Sequence, residues 1–286
     1  MKIVNVLGGL GNQMFQYAFA ISLQSEFSDE IIKLNKLCFN GYPLHNGFEL
    51  DKIFNINLPY ANIQDLIKSA WPWNHYRLWQ LGRRILPKRK SMVWDTDLEI
   101  FNYDLVSDKS YFDGYWQSPR FFEKHRQDVI SAMEFPPITD ENNLNAIRFI
   151  NDDKTAFIHV RRGDYINHPT FGGICNLDYY QRGISILLEH HFSRFLIFSN
   201  DINWCKTELS KFLGHCNIMY VDWNSGLSSF RDMQLMSLCH GGLIANSSFS
   251  WWGAWLSNAD VIVCPNKWSN KPNHRTDIYS NNWIKI

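Results

Sequence analysis

Three things are scarce in this sequence, and each narrows what the chain can be. Its six cysteines, at positions 38, 175, 205, 216, 239 and 264, include no C-x-x-C pair. They follow neither a zinc-ligand spacing nor a disulfide framework, so a reducing compartment is expected. Charge of one sign is also missing: Lys plus Arg total 28 and Asp plus Glu total 28. Without a basic excess there is no broad attraction to phosphate backbones, and a nucleic-acid partner is not expected. No apolar run approaches the ~18 residues of a membrane span. The apolar start at residues 3–7 is cut short by GGLGNQ, so a signal peptide's apolar region is absent as well. Together these features read as a cytoplasmic, non-spanning protein.

What is present is ordinary globular composition, 45% hydrophobic and 20% charged, with a high aromatic content of 20 Phe, 12 Tyr and 12 Trp. At 286 residues the chain has the length of about two domains. Residues 2–7 read as a strand, 8–13 as a glycine turn and 14–24 as a helix, which is a βα unit. A second strand is expected at 30–34, and loops and short elements at 35–60. A stretch rich in Pro and acids, residues 135–143, is the candidate boundary between domains 1–140 and 141–286. Beyond it strands are predicted at 155–160, 194–199, 218–221, 242–245 and 261–263, and helices at 177–189, 202–213, 229–237 and 250–256. Alternation of this kind predicts α/β architecture with a parallel sheet. The expected fold is two Rossmann-like domains with a cleft between them.

Two clusters stand where ligands bind in such sheets, beyond the carboxyl ends of strands. In HVRRGDY, residues 159–165, the guanidiniums of Arg161 and Arg162 could clamp a phosphate bidentately. The plainer alternative is that one of them pairs with Asp164, and the embedded Arg-Gly-Asp is read as coincidence. In ANSSFSWW, residues 245–252, small hydroxyl residues at a strand-to-helix turn offer an N-cap and exposed amides that favour an anion. A serine cap under packed tryptophans is the alternative. Asn246 also begins a glycosylation sequon, which matters only in a secreted chain.

The opening turn lacks the third glycine of a dinucleotide fingerprint, because Met14 stands there. Asn12 and Gln13 place amide donors and acceptors near it, suited to hydroxyls, to a pyrophosphate or to contacts between domains. Asp95-Thr96-Asp97 looks like a metal-binding D-x-D but has no clear preceding strand, so it is read as an exposed loop, and no metal is required. His190 and His191 are read as structural at a helix C-terminus. Asp232, in a helical segment, reads by itself as a solvated or capping carboxylate. Residues 71–90 hold six Lys or Arg and no acid, with Leu78, Leu81 and Ile85 at helical spacing. A basic aromatic helix of this kind can lie on the inner face of a membrane, so weak peripheral association is expected; a plain domain surface is the alternative.

Taken in order, GGLGNQMFQYA, HVRRGDY, FSND at 198–201, DMQLMS and ANSSFSWWGAWL resemble the α-1,2-fucosyltransferases, particularly the bacterial ones (glycosyltransferase family 11). Residues 35–150 resemble the family less sharply. The resemblance implies a GT-B-like enzyme that transfers L-fucose from GDP-fucose to the 2-hydroxyl of a terminal β-galactoside with inversion and without metal or other cofactor. A role in surface polysaccharide synthesis would follow. The C-terminal domain would bind the donor and the N-terminal domain the acceptor side. By similarity, His159 and Arg161 are expected at the GDP moiety, with Arg161 on the β-phosphate. Ser247, Ser248 and Phe249 are expected around phosphate and guanine, Asp232 at the guanine edge, and Asn12 and Gln13 near fucose and diphosphate. Asp164 could be the catalytic base or could orient Arg161 or Arg162. A different linkage or sugar nucleotide, and a non-catalytic carbohydrate- or nucleotide-binding protein, are the competing readings.

Overall fold

A computed structural model describes residues 1–98, 100–272 and 277–286. It divides into two compact units, Met1–Pro136 and Pro137–Ile286, with the division inside the Pro-rich stretch.

The first unit carries a four-stranded, all-parallel sheet of β1 (Lys2–Asn5), β2 (Ile32–Asn35), β3 (Met92–Trp94) and β4 (Tyr111–Asp113), in the order β2-β1-β4-β3. Chain order reverses between β1 and β4, which makes their carboxyl ends the topological switch point. The helix Leu10–Glu26 begins four residues ahead of the expected start, at the glycine turn itself, and is buried over most of its length. Phe19 on this helix stacks on Trp116 at 4.0 Å, so part of the aromatic content is core. β3 and β4 were not expected. β3 runs directly into Asp95-Thr96-Asp97, so that motif is a short 3-10 turn following a strand. Its carboxylates serve the fold: Asp95 Oδ2 accepts the amides of Tyr115 and Trp116, and Asp97 Oδ2 accepts that of Trp94 and pairs with Lys88. Among the described residues no group of three or more His, Cys, Asp and Glu is placed to hold a metal ion.

The basic segment forms the helix Tyr76–Ile85. It packs inward through Trp79, Gly82 and Arg83 and leaves Leu78, Leu81 and Ile85 outward at 52%, 56% and 67% exposure.

The second unit carries a six-stranded parallel sheet: β5 (Thr155–Val160), β6 (Arg194–Ser199), β7 (Asn217–Val221), β8 (Gly241–Leu243), β9 (Val261–Cys264) and β10 (Ile284–Lys285), in the order β10-β9-β8-β5-β6-β7. The chain runs outward from β5 through β6 to β7 and then returns to the other side of β5, so the switch point lies between β5 and β8. Ala156, Ile158 and Val160 on one face of β5 enter a core with Ile184, Leu187, Ile197 and Leu243. By strand alternation, His159 lies on the opposite face. The helix Leu177–Glu189 ends as expected at His190, and His191 adopts the left-handed conformation (φ 64°) that commonly closes a helix. Residues 202–213 are helical with a π segment, Cys205–Leu209, in the middle. The helix Ser248–Leu256 buries Trp251, Trp252 and Trp255, which accounts for a quarter of the tryptophans as core. All six cysteines are free thiols. No helix among the described residues is long and apolar enough to cross a membrane.

Candidate functional site

The switch point of the second sheet brings together the two clusters singled out from sequence. β5 delivers His159 and then Arg161, while the turn after β8 delivers Asn246, Ser247, Ser248 and Phe249. The rings of His159 and Phe249 are 6.1 Å apart. Asn246 is 2% exposed and holds the junction together, donating through Nδ2 to the carbonyls of Phe171 and Trp268. A residue so buried cannot accept a glycan, so the sequon is structural.

Arg161 presents Nε and Nη2 to the two oxygens of Asp164 at 2.8 and 2.9 Å, a two-point pair that fixes the plane of the guanidinium. Asp164 Oδ1 also accepts from Asn200 Nδ2 at 3.3 Å, and Asn200 Oδ1 accepts the amide of Arg162. A Cβ at Gly163 would lie 2.6 Å from Asn200 Nδ2, so any other residue there would push the Asn200 amide away from Asp164. FSND, at the end of β6, is therefore the brace of the HVRRGDY turn. Arg162 faces Asp201 at 3.4 Å and lies 4.1 Å over the Trp204 ring, so it is held against β6 and the helix after it. With both carboxylate oxygens engaged, Asp164 is arranged to orient Arg161 and poorly arranged to take a proton.

His159 is 6% exposed. Burial, reinforced by the Arg161 charge, pushes its pKa down to about 3, so the imidazole is neutral at physiological pH. Its Nδ1 is buried and has no hydrogen-bond partner among the described residues. An orphaned nitrogen of this kind is costly unless a ligand satisfies it.

Ser247 is the N-cap of the helix Ser248–Leu256, accepting the amide of Phe249. The positive pole of that nine-residue helix opens beside β5 and can receive an anion.

Asp232 is not a solvated carboxylate. It is half-buried on the helix Phe230–Ser237, and burial pushes its pKa up to about 7, with the hydrogen bond from Asn224 opposing the shift. Asn224 Nδ2 bridges Asp232 Oδ1 at 2.8 Å and Asn143 Oδ1 at 2.9 Å. Asn143 returns its own Nδ2 to Asn224 and accepts from Trp223 Nε1. Asn143 and Asn224 were missed from sequence. The only clue to Asn143 was the Asp140-x-x-Asn143 spacing of the cap that begins the helix Glu141–Asp152.

The opening turn corrects the expectation for Gln13. Gln13 is completely buried: Nε2 donates to Gly8 O and Gly47 O, and Oε1 accepts the Glu49 amide. Its polar atoms clamp loop 45–49 onto the turn, and each is engaged by the protein itself. Asn12 Oδ1 accepts from Gln117 at 2.7 Å. Gln16, unremarked in the sequence, accepts from Leu7 N and donates to Gly114 O. The N-terminus of the helix Leu10–Glu26 is met by Glu49, 4% exposed, whose carboxylate accepts the Leu10 amide. Burial raises the Glu49 pKa, and the hydrogen bonds from Asn46 and the Leu10 amide oppose that rise.

The sequence of residues 1–286 matches the family model described as glycosyl transferase family 11. The chain belongs to that family. It is 30% identical to an alpha-1,2-colitosyltransferase of Escherichia coli, covering 99% of this chain and 98% of the relative. The O-antigen biosynthesis glycosyltransferase WbnK of Escherichia coli is likewise 30% identical, covering 98% of each. A galactoside 2-alpha-L-fucosyltransferase, SEC1 of Bos taurus, is 25% identical over 92% of this chain and 66% of its own length. Among solved structures, POFUT1 in complex with GDP-fucose is 11% identical with a TM-score of 0.43 (90% and 95% covered), and a family 9 glycosyl transferase of Veillonella parvula is 10% identical with a TM-score of 0.47 (99% and 86% covered). Likeness that low does not bear on the site. The family 11 assignment makes the switch point between β5 and β8 the candidate site of glycosyl transfer.

Proposed function

We propose that this family 11 chain is an inverting, metal-independent transferase that moves L-fucose from GDP-fucose to the 2-hydroxyl of a terminal β-galactoside. The carrying observation is the convergence at one switch point of an oriented guanidinium, a helix N-terminus and a buried, neutral histidine with an unpartnered nitrogen. Breaking the bond from sugar to phosphate develops negative charge on the departing diphosphate. Arg161, held flat by Asp164, and the amides behind Ser247 meet that charge without a cation. Ser248 and Phe249 flank the phosphate, His159 hydrogen-bonds the GDP moiety, and Arg162 braces the turn from outside. Asp232 accepts the N–H groups of the guanine edge, an interaction that favours its ionised form. On this reading Asp164 orients, and the proton of the attacking hydroxyl leaves through another group.

Incubation with GDP-fucose and a panel of β-galactosides, with GDP release followed and the product linkage read by NMR, tests the proposal. An α-1,2 fucoside is expected. GDP-colitose belongs in the same experiment because a relative at 30% identity is named for colitosyl transfer; exclusive use of that donor would replace the fucose reading. Binding of either donor without GDP release would favour a non-catalytic binder.

Peripheral contact with an anionic membrane is proposed for residues 71–90. Support comes from the outward Leu78, Leu81 and Ile85, accompanied by Arg77, Arg84 and Lys90, which make no ion pair among the described residues. Co-sedimentation with vesicles should require anionic lipid and should be lost in Leu81→Glu; binding that ignores lipid charge would remove the idea.

A further inference from the structure

The first sheet has its own switch point, at the carboxyl ends of β1 and β4, and aromatic side chains gather there. Tyr115, two residues beyond β4, is 44% exposed. Tyr42 and Tyr76 meet edge to face at 4.9 Å, and Tyr76 stacks on Trp79 at 5.9 Å. Tyr42 is in electrostatic reach of both others: after burial, the phenols of Tyr115 and Tyr76 raise its pKa further. The hydroxyls of Tyr42 and Tyr115 make no hydrogen bond among the described residues.

This group is built into the fold. Trp79 Nε1 donates to both oxygens of Asp113 at 3.3 and 3.1 Å, and Asp113, 1% exposed at the end of β4, also receives Asn5 Nδ2 and faces Arg83 at 3.7 Å. The indole plane, and with it the ring of Tyr76, is thereby fixed. Asp95 takes the amides of Tyr115 and Trp116 and holds Trp116 at φ 54°, a conformation that costs energy for a bulky residue and is retained where the surroundings enforce it. A core would bury such rings and satisfy their hydroxyls; this edge leaves two phenols open instead. Rigid amphipathic rings with free hydroxyls suit a ligand that has an apolar C–H face and a rim of neutral hydroxyls. The nearby start of the helix Leu10–Glu26 is already met by the buried Glu49.

We propose that Tyr42, Tyr76 and Tyr115 form the acceptor subsite, with the terminal hexoside stacked on Tyr115, its hydroxyls bonded to the open phenols, and Trp79 and Asp113 as positioning residues. The proposal rests on the glycosyl-transfer reading above, so its test has a binding arm independent of turnover. Saturation-transfer NMR of lactose, a methyl α-galactoside and cellobiose with the GDP-loaded wild type should label the ring protons of at least one sugar. Tyr115→Ala should abolish that labelling, and Tyr115→Phe should keep much of it. In turnover, Tyr115→Ala and Tyr42→Ala should raise acceptor KM about tenfold, the size expected for a lost aromatic contact, with GDP affinity and kcat near wild type. Trp79→Phe should raise KM less. Labelling that is equal in wild type and Tyr115→Ala, or absent for all three sugars, overturns the subsite. Tyrosine-dependent labelling without any transfer from GDP-fucose retains the subsite and removes the fucosyl reading instead.

Discussion

The two sheets end in opposite chemistry. At the carboxyl edge of the second, Arg161, Arg162, Asp164 and Asp201 lock into ion pairs around a neutral histidine. At the carboxyl edge of the first, phenols, an indole and side-chain amides gather around the buried Asp113, which a single guanidinium among the described residues, Arg83, faces at 3.7 Å. Both are parallel sheets with a reversal point, and what separates them is which charges the neighbouring loops supply. A charged edge suits a nucleotide diphosphate, and an aromatic one suits a neutral sugar. Shared architecture thus places a ligand, while the loop residues choose its class.

Substitutions can break this contrast. The largest effect is expected at Arg161: Arg161→Ala should lower kcat about 100- to 1000-fold, and Arg161→Lys should lose most of that activity because an ammonium cannot reproduce the planar contact. Steady-state rates at saturating donor check both. Asp164→Asn keeps the shape and removes the charge that orients Arg161, so a smaller fall, about tenfold, is expected with the pH–rate profile unchanged in form. A fall of about 100- to 10,000-fold with loss of the acidic limb would instead make Asp164 the base.

Asp232 gives a pH signature. Its pKa, pushed up to about 7, means that the ionised form required by the proposed guanine contact fills in as pH rises. GDP affinity should therefore strengthen about tenfold from pH 6 to pH 8, as calorimetry would show, and Asp232→Asn should flatten the slope. Asn224→Ala removes the hydrogen bond that opposes the shift and should move the rise to higher pH. For folding the sign is reversed: the raised pKa favours the native state below the ordinary carboxylate range, and that contribution is lost as pH passes 7. The smallest kinetic effect belongs to Gln13. Gln13→Ala strips a buried amide of its partner, so stability should fall by about 1–3 kcal/mol while donor KM stays put. A raised donor KM without a drop in Tm would return Gln13 to the ligand.

Much of the second unit was legible because β5 and β6 are buried apolar runs between helices of clear period. β5, β6 and the helix Leu177–Glu189 fall where the pattern put them. β3 and β4 escaped because three residues carry no period, and each ends on a residue that resembles loop: Trp94 before two aspartates, and Asp113 itself. The helix Glu141–Asp152 was hidden by an Asn-rich start that reads as linker. Within the site, the strand-end clusters were visible from their position after apolar strands. Whether an amide faces a ligand or the interior is decided by tertiary packing, which is why Gln13 was misplaced and Asn143 and Asn224 were not seen. The pairing of Arg161 with Asp164 was one of two open alternatives, and only the backbone path through Gly163 to Asn200 decides it.

The carboxylate of Glu49 at the start of the helix Leu10–Glu26 has a kinetic corollary. With that pole already met by a side chain of the protein, the nucleotide site proposed above is the one at the second sheet. On the proposed fucosyl-transfer reading, accumulating GDP should then compete with incoming donor and leave the apparent affinity for the glycan untouched.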